Sequence, residues 1–253
     1  MRVIWMGALI TASLYLGICA LLFVFQRSLL YFPQAGVRQG EVLEVDGEKV
    51  LVLSRAIEGP EAVIYFGGNA EDVAYSYPTL FRAFPDQALY LMKYRGYGGS
   101  TGKPTEAGLF LDAVALYDMV QKRHSKIVVV GRSLGSGVAA YLANVRKVER
   151  LVLVTPFDSV EAVAAEKFRY FPVRWLLRDK YESSKYVQTL DAPTLIVAAA
   201  RDEVIPMART QGLLGKFRPG VASMHVVEGV GHNDISEASE YILLLRGVPI
   251  RGR

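Results

Sequence analysis

In Gly131-Arg132-Ser133-Leu134-Gly135 two glycines flank a serine at a spacing that suits a nucleophile on a sharp strand-to-helix turn. Glycine leaves room there where a Cβ would collide, so the hydroxyl stands out at the sheet edge. A serine hydroxyl attacks well only when a neighbouring base takes its proton. The chain offers three histidines. His124 lies among Lys122, Arg123 and Lys126 and reads as a solvated helix-end charge, while His225 lies inside an apolar run and reads as structural. His232, in Gly229-Val230-Gly231-His232-Asn233-Asp234, sits in a loop that can present an imidazole. An acid between Ser133 and His232 completes the order Ser, Asp, His. Asp202 directly follows an apolar run, where a carboxylate would fix the imidazole tautomer and stabilise the imidazolium. Asp158 is its rival; Asp202 fits the order better.

Acyl transfer through a serine also needs donors for the oxyanion. The Leu134 N–H, next after the nucleophile, is one. The second is expected in the loop Gly67-Gly68-Asn69-Ala70, from the Asn69 N–H with Ala70 as the fallback, although paired glycines make a tight turn in any case.

The elements that must position these groups follow from hydrophobic patterning. Apolar runs at 62–66, 88–92, 127–130, 151–154, 194–198 and 224–227 read as buried strands. Segments 106–122, 135–146, 206–217 and 236–246 between them read as helices. Runs 42–45 and 49–53 flank Asp46-Gly47, a hairpin signal because that turn needs positive φ. The expected fold is α/β: a mainly parallel sheet opened by an antiparallel hairpin, with helices on both faces. One connection, about 155–192, is long and holds an aromatic- and arginine-rich stretch at 168–178. It is placed to cap a site beyond the carboxyl ends of the strands. That stretch either rests on a bilayer and admits lipid-like substrates or packs on its own core.

Residues 3–25 carry no charge, and a helix of that length rises about 34 Å, enough to cross a hydrocarbon core. A cleaved signal peptide would end in small residues, whereas this run ends Phe23-Val24-Phe25-Gln26-Arg27; Ile18 before Cys19 does not suit a lipoprotein signal. The division expected is an anchor over 1–27, a linker from residue 26, and a catalytic domain over 28–253, with Trp5 and Tyr31 near the two interfaces. Arg2 and the short tail favour a cytoplasmic N-terminus, placing the domain on the periplasmic side of a bacterial inner membrane. The +4 formal charge is scattered, which gives no basic patch for nucleic acid. The lone Cys19 provides no disulfide or cysteine metal site in the soluble part, and no metal or organic cofactor is implied. Nothing in the sequence fixes an oligomeric state.

Several motifs together resemble the α/β-hydrolase-domain serine hydrolases with one N-terminal transmembrane helix. They are Leu30-Tyr31-Phe32-Pro33, Gly68-Asn69-Ala70, Tyr94-Arg95-Gly96-Tyr97-Gly98-Gly99-Ser100, Gly131-Arg132-Ser133-Leu134-Gly135-Ser136-Gly137, Pro156-Phe157-Asp158-Ser159, Asp202-Glu203-Val204-Ile205-Pro206 and Gly231-His232-Asn233-Asp234. The resemblance implies the α/β-hydrolase fold, a triad of Ser133, Asp202 and His232, and activities like those of lysophospholipid lipases, acyl-protein thioesterases and carboxylesterases. Two positions depart from that pattern: Gly67, where the family usually has histidine, and Lys93, where it has an acid or amide. The expected reaction is hydrolysis of an ester or thioester of an acyl substrate, lipid-like ones included, through an acyl-enzyme. A non-catalytic membrane-bound scaffold and a serine peptidase are the alternatives.

Overall fold

The computed structural model describes residues 1–36 and 38–247. Eight strands form one sheet: β1 (Glu41–Val45), β2 (Glu48–Arg55), β3 (Glu61–Phe66), β4 (Ala88–Met92), β5 (Lys126–Arg132), β6 (Arg150–Val154), β7 (Thr194–Ala199) and β8 (Ala222–Val227), in the order β1-β2-β4-β3-β5-β6-β7-β8. Strands β1 and β2 pair antiparallel across Asp46-Gly47, both with positive φ as that tight turn requires. Strand β2 also runs antiparallel to β4, and all later pairs are parallel. The central strands are buried on both faces, which explains their unbroken Val, Ile and Leu runs.

Nine α-helices accompany the sheet among the described residues: α1 (Arg2–Leu30), α2 (Tyr77–Ala83), α3 (Glu106–Val120), α4 (Leu134–Val145), α5 (Val160–Lys167), α6 (Val173–Leu176), α7 (Ser183–Tyr186), α8 (Met207–Leu214) and α9 (Tyr241–Arg246). Helix α4 buries nearly its whole length against the sheet, and Thr105 caps α3 by accepting from the Gly108 N–H. Helix α2, seven residues long, is too short to show a periodic pattern in sequence. The long connection 155–192 contains three short helices: α7 packs on α4, while α5, α6 and the residues joining them form the segment termed the cap.

Helix α1 is long and apolar enough to cross a membrane. It runs on to Leu30, so the linker expected from residue 26 begins only at Tyr31, where the backbone becomes extended. Tyr31 is also buried in protein rather than set at an interface, its hydroxyl held by Asp179 and Tyr181.

Candidate active site

The site stands where β5 turns into α4. Ser133 occupies that turn at φ 50°, a left-handed conformation that a side chain tolerates only when its surroundings enforce it. The enforcement comes from the two glycines. A Cβ at Gly135 would collide with the Phe66 carbonyl, and one at Gly131 would collide with the Gly135 carbonyl. Helix α4 therefore approaches the end of β3 more closely than any other residue allows. The Ser133 N–H donates to Val154 O of β6 at 2.9 Å, which pins the turn to the neighbouring strand.

Three expected residues meet at this point. His232 Nε2 lies 2.8 Å from Ser133 Oγ, and His232 Nδ1 faces both Asp202 oxygens at 3.0 and 2.9 Å. With two carboxylate oxygens on its Nδ1 side, the ring carries its proton there, which leaves Nε2 to accept from the serine. Asp202 is itself fixed, because Val204 and Ile205 N–H donate to its Oδ1 at 2.9 and 2.7 Å. Ser133 and His232 are 8% and 4% exposed, so their hydrogen bond is shielded from competing water. The rival acid, Asp158, instead pairs with Arg209 at 3.1 Å and accepts from the Ser159 N–H.

The other two histidines lie elsewhere. His124 is buried rather than solvated, with Nδ1 2.9 Å from Gly59 O and Nε2 3.1 Å from the Tyr90 hydroxyl. His225 lies on β8, its Nε2 3.4 Å from Glu240.

The loop after β3 carries Asn69. Among the described residues, the N–H groups of Asn69, of the fallback Ala70 and of Leu134 all donate to no protein group, as donors awaiting an oxyanion would require. The Gly68 N–H is spent on Glu71 Oε2 at 2.8 Å. Asn69 is held through its other groups: its Nδ2 donates to Leu30 O at 2.9 Å, and its carbonyl accepts from Phe32 N–H and the Tyr97 hydroxyl.

Glu71 and Arg132 were not singled out as site residues by sequence. Glu71 also accepts from the Tyr65 and Ser76 hydroxyls and from Arg132 Nη1, at 2.7, 2.6 and 3.0 Å. Arg132 Nη2 reaches the His232 carbonyl at 3.3 Å. One ion pair thus ties the Asn69 loop to the His232 loop. Burial alone would depress the Arg132 pKa, but the Glu71 carboxylate, with smaller contributions from Tyr65 and Tyr241, offsets this and leaves it raised. Val73 and Glu71 together crowd Gly67: a Cβ there would lie 2.9 Å from Val73 Cγ1 and 3.0 Å from the Glu71 carboxyl carbon. Lys93 is buried, its stem packed where a Cβ at Gly98 would fall.

Known proteins share this architecture. A family model described as alpha/beta hydrolase fold matches residues 61–180. An uncharacterized protein of Mycobacterium tuberculosis is 33% identical over 251 residues, covering 89% of this chain and 86% of its own length. Protein bem46 of Schizosaccharomyces pombe is 26% identical over 272 residues, covering 92% of this chain and 89% of its own. Among solved structures, the Pyrococcus furiosus esterase Pf2001 superposes with a TM-score of 0.69 at 16% identity, over 83% of this chain and 90% of that one. The chain belongs to the α/β-hydrolase fold family.

Proposed function

We propose that this α/β-hydrolase family member is a membrane-anchored serine hydrolase that cleaves an ester or thioester through an acyl-enzyme. The observation that carries the reading is the unbroken hydrogen-bonded line Ser133–His232–Asp202, with Ser133 forced onto a strained turn at the head of α4. Ser133 Oγ attacks the acyl carbon while its proton passes to His232 Nε2, and Asp202 stabilises the imidazolium that forms. The carbonyl oxygen becomes an oxyanion, held by the Leu134 and Asn69 N–H groups. His232 then returns the proton to the departing alcohol or thiol as the acyl–leaving-group bond breaks. A water, deprotonated by His232, attacks the acyl-enzyme; the bond from the acyl carbon to Ser133 Oγ breaks as His232 returns the proton to that oxygen, and the acid is released. The step needs nothing beyond these side chains, the two N–H groups and water.

Helix α1 as an uncut anchor is part of the same proposal. Arg27 makes a two-point pair with Asp179, Nε–Oδ2 2.9 Å and Nη2–Oδ1 3.2 Å, and the Asp179 side chain is only 6% exposed. Removal of α1 would leave that carboxylate short of its charge partner, a costly state for a buried acid. A cytoplasmic N-terminus with an exported domain completes the reading. An alkaline phosphatase fused to the C-terminus is expected to be active in bacteria, and an inactive fusion reverses the orientation.

Replacing Ser133 by Ala is the direct test. Fluorophosphonate labelling should vanish and p-nitrophenyl ester turnover should fall by at least about three orders of magnitude. Labelling that persists at another serine overturns the assignment.

A further inference from the structure

An apolar groove separates α1 from the cap, lined by Leu22, Leu29 and Leu30 on one side and Ala164, Phe168 and Phe171 on the other. Both walls connect along the chain to elements that hold the candidate site. Leu30 gives its carbonyl to Asn69 Nδ2, and the cap wall begins at Val160, a few residues after the β6 end that holds the Ser133 N–H.

The depth of this groove follows from α1 itself. Tyr15, Cys19, Leu22, Gln26 and Leu30 recur at three- and four-residue steps and so share one face, and that face meets the cap. The contact reaches as far as Tyr15, whose ring stacks on Phe171 with centroids 5.7 Å apart and whose hydroxyl donates to Tyr170 O at 2.9 Å. A hydrocarbon core takes about 20 residues of helix, so a span starting at Val3 ends near Leu22 and leaves Tyr15 about 10 Å below its boundary. A span placed to end at Gln26 sets Tyr15 deeper still, about 16 Å. Keeping the cap out of the bilayer would leave only residues 3–14 to cross it, about 18 Å of helix against about 30 Å of hydrocarbon.

The cap is built for that setting. Trp175 and Tyr170 are 85% and 73% exposed, with Phe168 beside them. Arg169 and Arg174 lie on the same segment, the first hydrogen-bonded to the Tyr170 hydroxyl at 2.7 Å and the second 3.9 Å from Glu161, with stems long enough to follow a headgroup boundary. Polar groups of the cap backbone are met by α1 side chains, as a water-poor medium demands: Gln26 Nε2 donates to Leu176 O at 3.0 Å and Gln26 Oε1 accepts from Arg178 N–H at 2.7 Å.

We infer that the cap dips into the leaflet beside α1 and that the groove between them admits a single acyl chain sideways from the bilayer, with its ester or thioester end toward Ser133. The inference rests on the serine hydrolase reading and names its substrate class: an acyl ester or thioester whose chain already lies in the membrane.

Two measurements test it on the full chain. With Trp5→Phe, Trp175 is the remaining tryptophan, and the protein is reconstituted in vesicles of phosphatidylcholine and phosphatidylglycerol. Lipids brominated near the top of the acyl chain should quench Trp175 strongly and aqueous iodide weakly; iodide quenching equal to that of free N-acetyltryptophanamide overturns the immersion. Ala164→Phe, which fills the groove, should lower the ratio of dodecanoyl to acetyl p-nitrophenyl ester turnover by about tenfold or more. The failures are separable: a wild-type chain that no fluorophosphonate labels overturns the nucleophile, whereas labelling with an unchanged ratio overturns the groove.

Discussion

The cluster around Ser133 and the junction between α1 and the cap both join side chains distant in sequence, yet they are held by different means. At Ser133 the backbone decides. Strand ends, a positive φ and two positions that exclude any Cβ set the serine, and Asp202 is clamped by two N–H groups. At the junction side chains decide: Arg27 reaches Asp179, Gln26 reaches the cap backbone, and Tyr31 meets Tyr181 at 2.8 Å. A site fixed by backbone stays preorganised, as transition-state stabilisation needs. A seam fixed by long side chains holds only while each partner is in place, so a single substitution can loosen it.

The largest effect expected is chemical. Asp202→Asn keeps the shape but favours the wrong imidazole tautomer, and kcat should fall by about four orders of magnitude with the melting temperature little moved. A variant that unfolds instead would place Asp202 in the architecture rather than the chemistry. Next comes Gly135→Ala, which should cost about 3 kcal/mol or more in urea unfolding, at the upper end for overpacking, because the Phe66 carbonyl blocks its Cβ. A smaller loss would mean that the backbone at the turn yields. Arg27→Ala should cost about 1–3 kcal/mol by leaving Asp179 without its charge partner. That loss should appear as faster proteolysis within residues 160–180, whereas uniform destabilisation of the sheet would erase the contrast between the two regions.

The smallest effect concerns pH. Burial raises the Glu106 carboxyl above its ordinary 4.5, although Lys180 and Tyr181 N–H groups donate to it and pull the other way. A raised folded-state value means that folding takes up a proton, so the stability it contributes is complete below 4.5 and is lost as pH rises through the raised value. The melting temperature of the wild type relative to Glu106→Gln should therefore increase on acidification from neutral pH toward 4.5. A flat difference would place the carboxyl in contact with solvent.

The same division explains what could be read in the sequence. Strand runs, the Asp46-Gly47 hairpin and the glycines around Ser133 are local patterns with local causes, and the parallel sheet followed from them. Asp202 and His232 were legible because each lies just beyond a strand, where order along the chain stands in for proximity. Glu71 was not, because its meaning lies in an ion pair to Arg132, 61 residues away. His124 misled for a related reason: its cationic neighbours pointed to solvent, while Gly59 and Tyr90, which occupy both ring nitrogens, are distant in sequence. The end of α1 was placed early because Gln26 and Arg27 look like the polar edge of a span; in the fold they are the groups that grip the cap.

The bonds from Asn69 to Leu30 and Phe32 make α1 a keyed shaft rather than a rope. One residue inserted between Tyr15 and Leu30 rotates everything before it by about 100° and shifts it by about 1.5 Å. The face that fits the cap would then turn away while the end at Asn69 stayed put. Grafting a foreign helix in place of α1 is thus a matter of phase: helices of equal length and greasiness should differ in effect according to the angle at which they arrive.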